Sequence, residues 1–81
     1  MDNVTDSSTA FGQWAIDEML ERYISWREEC AAVRMAYQQW ADSDRRERGL
    51  AYTGYLTALD GEERAAGTYA GHVERVRRIA R

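Results

Sequence analysis

Few side chains in this chain have the chemistry to act as catalysts or ligands: the one histidine, His72, the one cysteine, Cys30, and two doubled carboxylates, Glu28–Glu29 and Glu62–Glu63. A histidine beside a carboxylate is two-thirds of a hydrolytic triad. His72 is expected to approach Asp17 across a helical hairpin. The third member has no candidate, because no serine stands in a nucleophile-elbow setting and Cys30 falls in an apolar stripe far from His72. A flank histidine in a salt bridge is therefore the expectation. A metal ion needs several converging ligands, and one Cys and one His on different helices do not supply them. The glutamate pairs lack the Glu-x-x-His spacing of di-iron bundles and read as solvated surface. The six glycines are scattered instead of gathered into a phosphate-binding loop. Gly67 and Gly71 form a GxxxG, which allows something to approach closely there. No enzymatic activity, cofactor or metal is expected.

Charge points the same way. The net charge is −3, from 14 acids and 11 basic residues, all of them Arg. A mildly acidic chain is not a typical nucleic-acid binder. The charge is uneven, with acids concentrated in residues 1–30 and Arg in residues 61–81. Arg75, Arg77, Arg78 and Arg81 form the one cluster that could contact phosphates. They also suit a helix C-terminus, where the helix dipole favours cations. Neutralisation by Asp17, Glu18 and Glu21 on a neighbouring helix is the preferred reading, and nucleic-acid binding the alternative. A single cysteine rules out an intrachain disulfide, and its place in the stripe suggests a small buried hydrophobe. No apolar run approaches a membrane span and the start does not read as a signal peptide, so a cytoplasmic protein is expected.

The elements that must position these residues are helices. The chain has 81 residues, no Pro and no strand-like runs, which predicts one all-α domain of marginal stability on its own. From residue 16 to residue 40 the apolar and aromatic positions repeat every seven. Ile16, Tyr23, Cys30 and Tyr37 form one column, and Met19, Trp26, Val33 and Trp40 the next. Columns spaced three and four apart make one helix face, and a strict seven-residue repeat keeps that face against a partner helix. Helix 1 is predicted from about 10 to 41, after a flexible segment over 1–9. A polar turn follows over about 42–46, with Asp44 and Glu47 at capping-box spacing. Helix 2 is predicted from about 45 to 78, with a possible break at 60–62. Its stripe reads Tyr52, Tyr55, Leu59, Ala66, Tyr69, Val73 and Val76, interrupted at Glu62. A flanking row, Ala51, Ala58 and Ala65, is small enough to let two backbones come close.

A short connection makes the helices antiparallel neighbours, a helical hairpin of coiled-coil character. The expected pairing puts bulky Trp26 opposite the thin stretch from Gly61 to Ala66, and Met19 and Ile16 near Tyr69. A second apolar row on helix 1, made of Leu20, Ile24, Ala31 and Met35, stays uncovered in a two-helix hairpin, alongside part of Trp26. Exposed contiguous apolar surface marks an interface. These five residues are the expected interface, and a second copy giving a four-helix bundle is the economical way to cover them. Another helical protein is the competing partner.

The segment WREECAAVRMAYQQW, followed by a polar turn and LAYTGYLTALDGEERAA, resembles short uncharacterised helical proteins of actinobacteria, a likeness that implies no known activity. The hairpin is also similar to the substrates of type VII secretion, which carry a Trp-x-Gly turn and a tail signal of Tyr followed four residues later by an acid. Here Trp40 ends helix 1, but Ala41-Asp42 follows it. Tyr69 is followed at the tail spacing by Val73, with Glu74 one residue late. That resemblance implies export as a minor alternative. The function expected overall is a non-enzymatic protein–protein interaction or scaffolding module, homodimeric, working through its helical surfaces.

Overall fold

In the computed structural model, residues 3–80 are described, with side chains for residues 10–80. Two helices pack along their length as an antiparallel hairpin: α1 (Asn3–Asp42) and α2 (Arg48–Ala80). The molecule is a rod of 69 × 15 × 13 Å.

Helical backbone reaches back to Asn3, into the segment expected to be flexible. No Gly or Pro interrupts those residues before Gly12. At the other end, the turn closes as its residue types dictate. Ser43 Oγ donates to the carbonyl of Trp40 at 2.7 Å, covering one of the carbonyls a helix leaves free at its end. The Glu47 backbone N–H donates to Asp44 Oδ1 at 2.9 Å, the side-chain half of a capping box. The backbone N–H of Ala51 then donates to the Glu47 carbonyl at 2.9 Å. Because Asp44 to Glu47 is spent on this turn, α2 starts at Arg48, later than about residue 45. α2 runs unbroken through residues 60–62, where the sequence allows a break, and no residue of the described chain has a positive φ. One glycine inside a helix costs only about 1 kcal/mol, less than the packing on either side recovers.

The seam between the helices differs from the predicted one by one column on each helix. The half-buried or buried residues of α1 at strict four-three spacing are Ala15, Met19, Arg22, Trp26, Glu29, Val33, Ala36 and Trp40. The column Met19, Trp26, Val33 and Trp40 is as expected. Its partner column, however, is Ala15, Arg22, Glu29 and Ala36, in place of Ile16, Tyr23, Cys30 and Tyr37. On α2 the seam runs Ala51, Tyr55, Ala58, Glu62, Ala65, Tyr69, His72 and Val76. The alanines read as a flanking row are the core row, and Tyr52 and Leu59 are exposed. Ala15, 1% exposed, is the one buried hydrophobic residue among those described.

The physical reason lies in volume. Helices that pack side by side are roughly 8–10 Å apart, and that gap cannot hold two columns of large aromatics from each helix. It holds one column with large aromatics per helix beside a column that supplies small residues, Ala15 and Ala36 on α1 and Ala51, Ala58 and Ala65 on α2, the large-against-small arrangement of interdigitated layers.

Candidate interaction surface

The aromatic column sets the register. Trp26 stacks on Tyr69, with ring centroids 5.6 Å apart and planes 12° from parallel. Trp40 stacks on Tyr55 at 5.6 Å and 7°. The two tryptophans are 14 residues apart on α1 and the two tyrosines 14 apart on α2, so the register is constant over two heptads. Tyr23 closes on Trp26 and Tyr69, and Tyr37 and Tyr52 close on the Trp40–Tyr55 pair. Trp26 thus meets Tyr69, which the sequence places opposite Met19 and Ile16.

Trp26 also reaches into the thin stretch it was expected to face. Its indole N–H donates to Glu62 Oε2 at 2.7 Å. The glutamate that interrupts the apolar stripe therefore has a partner across the seam, and the indole N–H is satisfied where it is partly buried. The close approach to Gly61 comes from a different residue. A Cβ on Gly61 would lie 2.9 Å from Glu29 Oε1.

The remaining polar groups of the seam sit on one side of it. Glu18 Oε1 lies 3.4 Å from Arg22 Nη2 and 3.7 Å from His72 Nε2. His72 Nδ1 is 2.9 Å from the Thr68 carbonyl, which can only accept, so Nδ1 carries a proton and Nε2 is charged only in the imidazolium form. The expected partner, Asp17, instead accepts from Gln13 at 3.1 Å. This is the same displacement by one residue seen in the seam column. Arg22 Nε is buried without a hydrogen-bond partner. Glu18 thus pairs with Arg22, and the His72 ring lies beside that pair across the seam. Among the described residues no group of three or more His, Cys, Asp or Glu is placed to hold a metal ion.

The opposite side of the seam carries the large exposed apolar side chains. Tyr23 and Tyr37 lean over α2, and Tyr52 leans over α1, from the same side, as their ring contacts require. Helical spacing puts Ile16 in the Tyr23–Tyr37 column, Leu20 and Ile24 just beyond it, and Leu59 and Leu56 beside Tyr52. All of these large side chains are exposed, Ile24 to 57% and Leu20 to 49%. The surface is a continuous strip along both helices, referred to below as the tyrosine face. Of the interface residues expected from sequence, Leu20, Ile24 and Met35 are exposed, Met35 to 65% but in the heptad column of Glu21 and Glu28, off the strip. Ala31 is half-buried, and Trp26 is half-buried in the seam. Sequence reasoning missed Tyr23, Tyr37, Tyr52, Leu56 and Leu59 as surface residues. The heptad row of alanines at 51, 58 and 65 was the signal that could have found them.

The arginine cluster is placed differently from expectation. Arg77 Nη1 lies 3.5 Å from Glu74 Oε1, and Arg78 Nε 3.9 Å from Glu74 Oε2. Neutralisation therefore comes from the same helix, with no ion pair to Asp17, Glu18 or Glu21 in the described residues. Arg75 lies with Phe11, Gly71 and Ile79 along an open groove at the end of the rod, and Arg81 is outside the described residues. Gly67 and Gly71 approach nothing: a Cβ at either would have open space within 4 Å. No described helix is long and apolar enough to cross a membrane.

Set against protein-family models, curated proteins and solved structures, the chain matches none.

Proposed function

We propose that this chain is a non-enzymatic protein–protein interaction module that works through its helical surface, as a homodimer closing into a four-helix bundle. One observation carries the reading. Among the described residues only Ala15 is buried, while the large apolar side chains of the tyrosine face stand in water. Burying apolar surface is worth about 25 cal/mol per Å², and a domain this small has little other interior to draw on. Covering the face supplies the core that the hairpin lacks alone.

Sedimentation equilibrium at micromolar concentration tests it. The expected result is a dimer mass, with Leu20→Glu together with Leu59→Glu shifting the species to monomer. A well-folded monomer across the whole concentration range, unmoved by those substitutions, overturns the reading. Gel shift with random DNA or RNA at low salt addresses the alternative carried by Arg75, Arg77 and Arg78. Tight binding with a steep salt dependence would favour it. Glu74, which already pairs with two of those arginines, argues for weak binding.

A further inference from the structure

Resting on the homodimer reading, we propose that the second copy docks on the tyrosine face with its two-fold axis along the rod, so that α1 of each copy covers α2 of the other and both turns lie at one end.

The charges on the face carry this. Helical spacing places Arg27 and Arg34 among the apolar residues of α1 on that side, with Asp17 at the rim. On α2 it places Glu63 and Arg77, with Asp60 at the rim. Leu56, Leu59, Asp60 and Glu63 line one shallow groove there. The α1 half of the face is therefore basic along its middle, and the α2 half acidic at the same height.

A two-fold along the rod leaves every height unchanged, so no sliding can be adjusted to make charges meet. The register is fixed by the turn, which sets Asp42 level with Arg48, and by the approach of Glu29 to Gly61 and of Glu18 to His72. At about 1.5 Å rise per residue, it puts Arg27 level with Glu63 of the second copy and about 4.5 Å along the axis from its Asp60. It puts Asp17 about 6 Å along the axis from Arg77, within the length of the arginine side chain, which leans that way along its helix. Arg34 comes level with Leu56, over which its stem can lie. Within a single hairpin these groups sit on opposite rims, with the tyrosine columns between them.

The other symmetric arrangement sets the two rods head to tail, α1 over α1. Centred on the apolar span near Cys30, it brings Arg27 to within about 3 Å along the axis of Arg34 of the second copy. Like charges opposed across an interface are costly. The area is sufficient for a stable dimer. The apolar strip runs from Ile16 to the level of Tyr52, about 33 Å at helical rise, on a face 15 Å wide. Two such strips amount to about 1,000 Å², the size a specific interface must reach.

Two measurements test the orientation. Spin labels on Arg46→Cys, in a Cys30→Ser background, report the distance between the two turns by pulsed electron resonance. A distance under about 30 Å is expected, whereas the head-to-tail arrangement puts the turns about 45 Å apart at helical rise. In sedimentation, Arg27→Glu should raise the dimer Kd about tenfold, since it opposes like charges twice in a symmetric dimer. Adding Glu63→Arg to the same chain should restore the dimer, because each copy then offers the swapped pair to the other. Circular dichroism checks that each variant remains helical. A dimer with the long distance, or without rescue by the double variant, overturns this inference and leaves the homodimer reading standing. A monomer at every concentration overturns both.

Discussion

Trp26 joins the two helices through its face and through its edge. Its ring stacks on Tyr69, and its N–H is held by Glu62. Trp26→Ala removes both and leaves the Glu62 carboxylate without its partner. Full burial would put the loss at 3–5 kcal/mol, and half-burial lowers it to about 2–3 kcal/mol. Trp26→Phe keeps the stack and loses the hydrogen bond, at about 1 kcal/mol. Urea unfolding separates the two, and equal losses would show that the N–H is the whole contribution. The glycines of α2 give a prediction of opposite sign. Gly54 has open space where a Cβ would go, so Gly54→Ala should stabilise by about 0.5–1 kcal/mol through helix propensity. Gly61→Ala should gain less. Its Cβ would meet Glu29 Oε1 at 2.9 Å, and that flexible carboxylate must swing away. A rise in Tm of a few degrees for the first and a smaller one for the second is the expected outcome.

At the scale of the element, the turn between α1 and α2 is held by two short side chains. Ser43 covers the Trp40 carbonyl, and Asp44 accepts from the Glu47 N–H. Asp44→Ala should cost about 1 kcal/mol, as the loss of an N-cap does, and Asp44→Asn should cost much less. Native-state hydrogen exchange checks the location of the effect. Faster exchange should be confined to the first turn of α2, and acceleration at mid-helix would mean that the turn controls the whole hairpin.

For the whole molecule, stability should depend on concentration. A rod with one buried hydrophobic residue among those described would gain stability from a partner that covered its tyrosine face. If that is a second copy, Tm rises with chain concentration by mass action. Thermal melts over a hundredfold concentration range are the measurement, and a flat Tm would mean that the hairpin is stable uncovered. Leu59→Glu should lower Tm at high concentration and have little effect at low concentration, because its side chain already faces water in the single hairpin.

The two helices, their antiparallel order and the capping role of Asp44 follow from the sequence alone, because they depend on local spacing and local hydrogen bonds. So does the uncovered row of Leu20, Ile24 and Met35, which any two-helix hairpin leaves exposed. The middle column of α1, from Met19 to Trp40, is equally legible, since it belongs to the seam whichever neighbouring column joins it. The choice of neighbour is not local. Ile16–Tyr23–Cys30–Tyr37 and Ala15–Arg22–Glu29–Ala36 both complete a heptad pattern around the same tryptophans, and apolarity favours the first. Packing selected the second. With Trp26 and Trp40 already filling the gap between the helices, only small residues, such as Ala15, Ala36, Ala51, Ala58 and Ala65, let the backbones approach. Arg22 and Glu29 are admitted because they reach out to the polar side of the seam. The tyrosines were thereby turned outward onto one face, so the surface proposed to bind exists because the seam has no room for them.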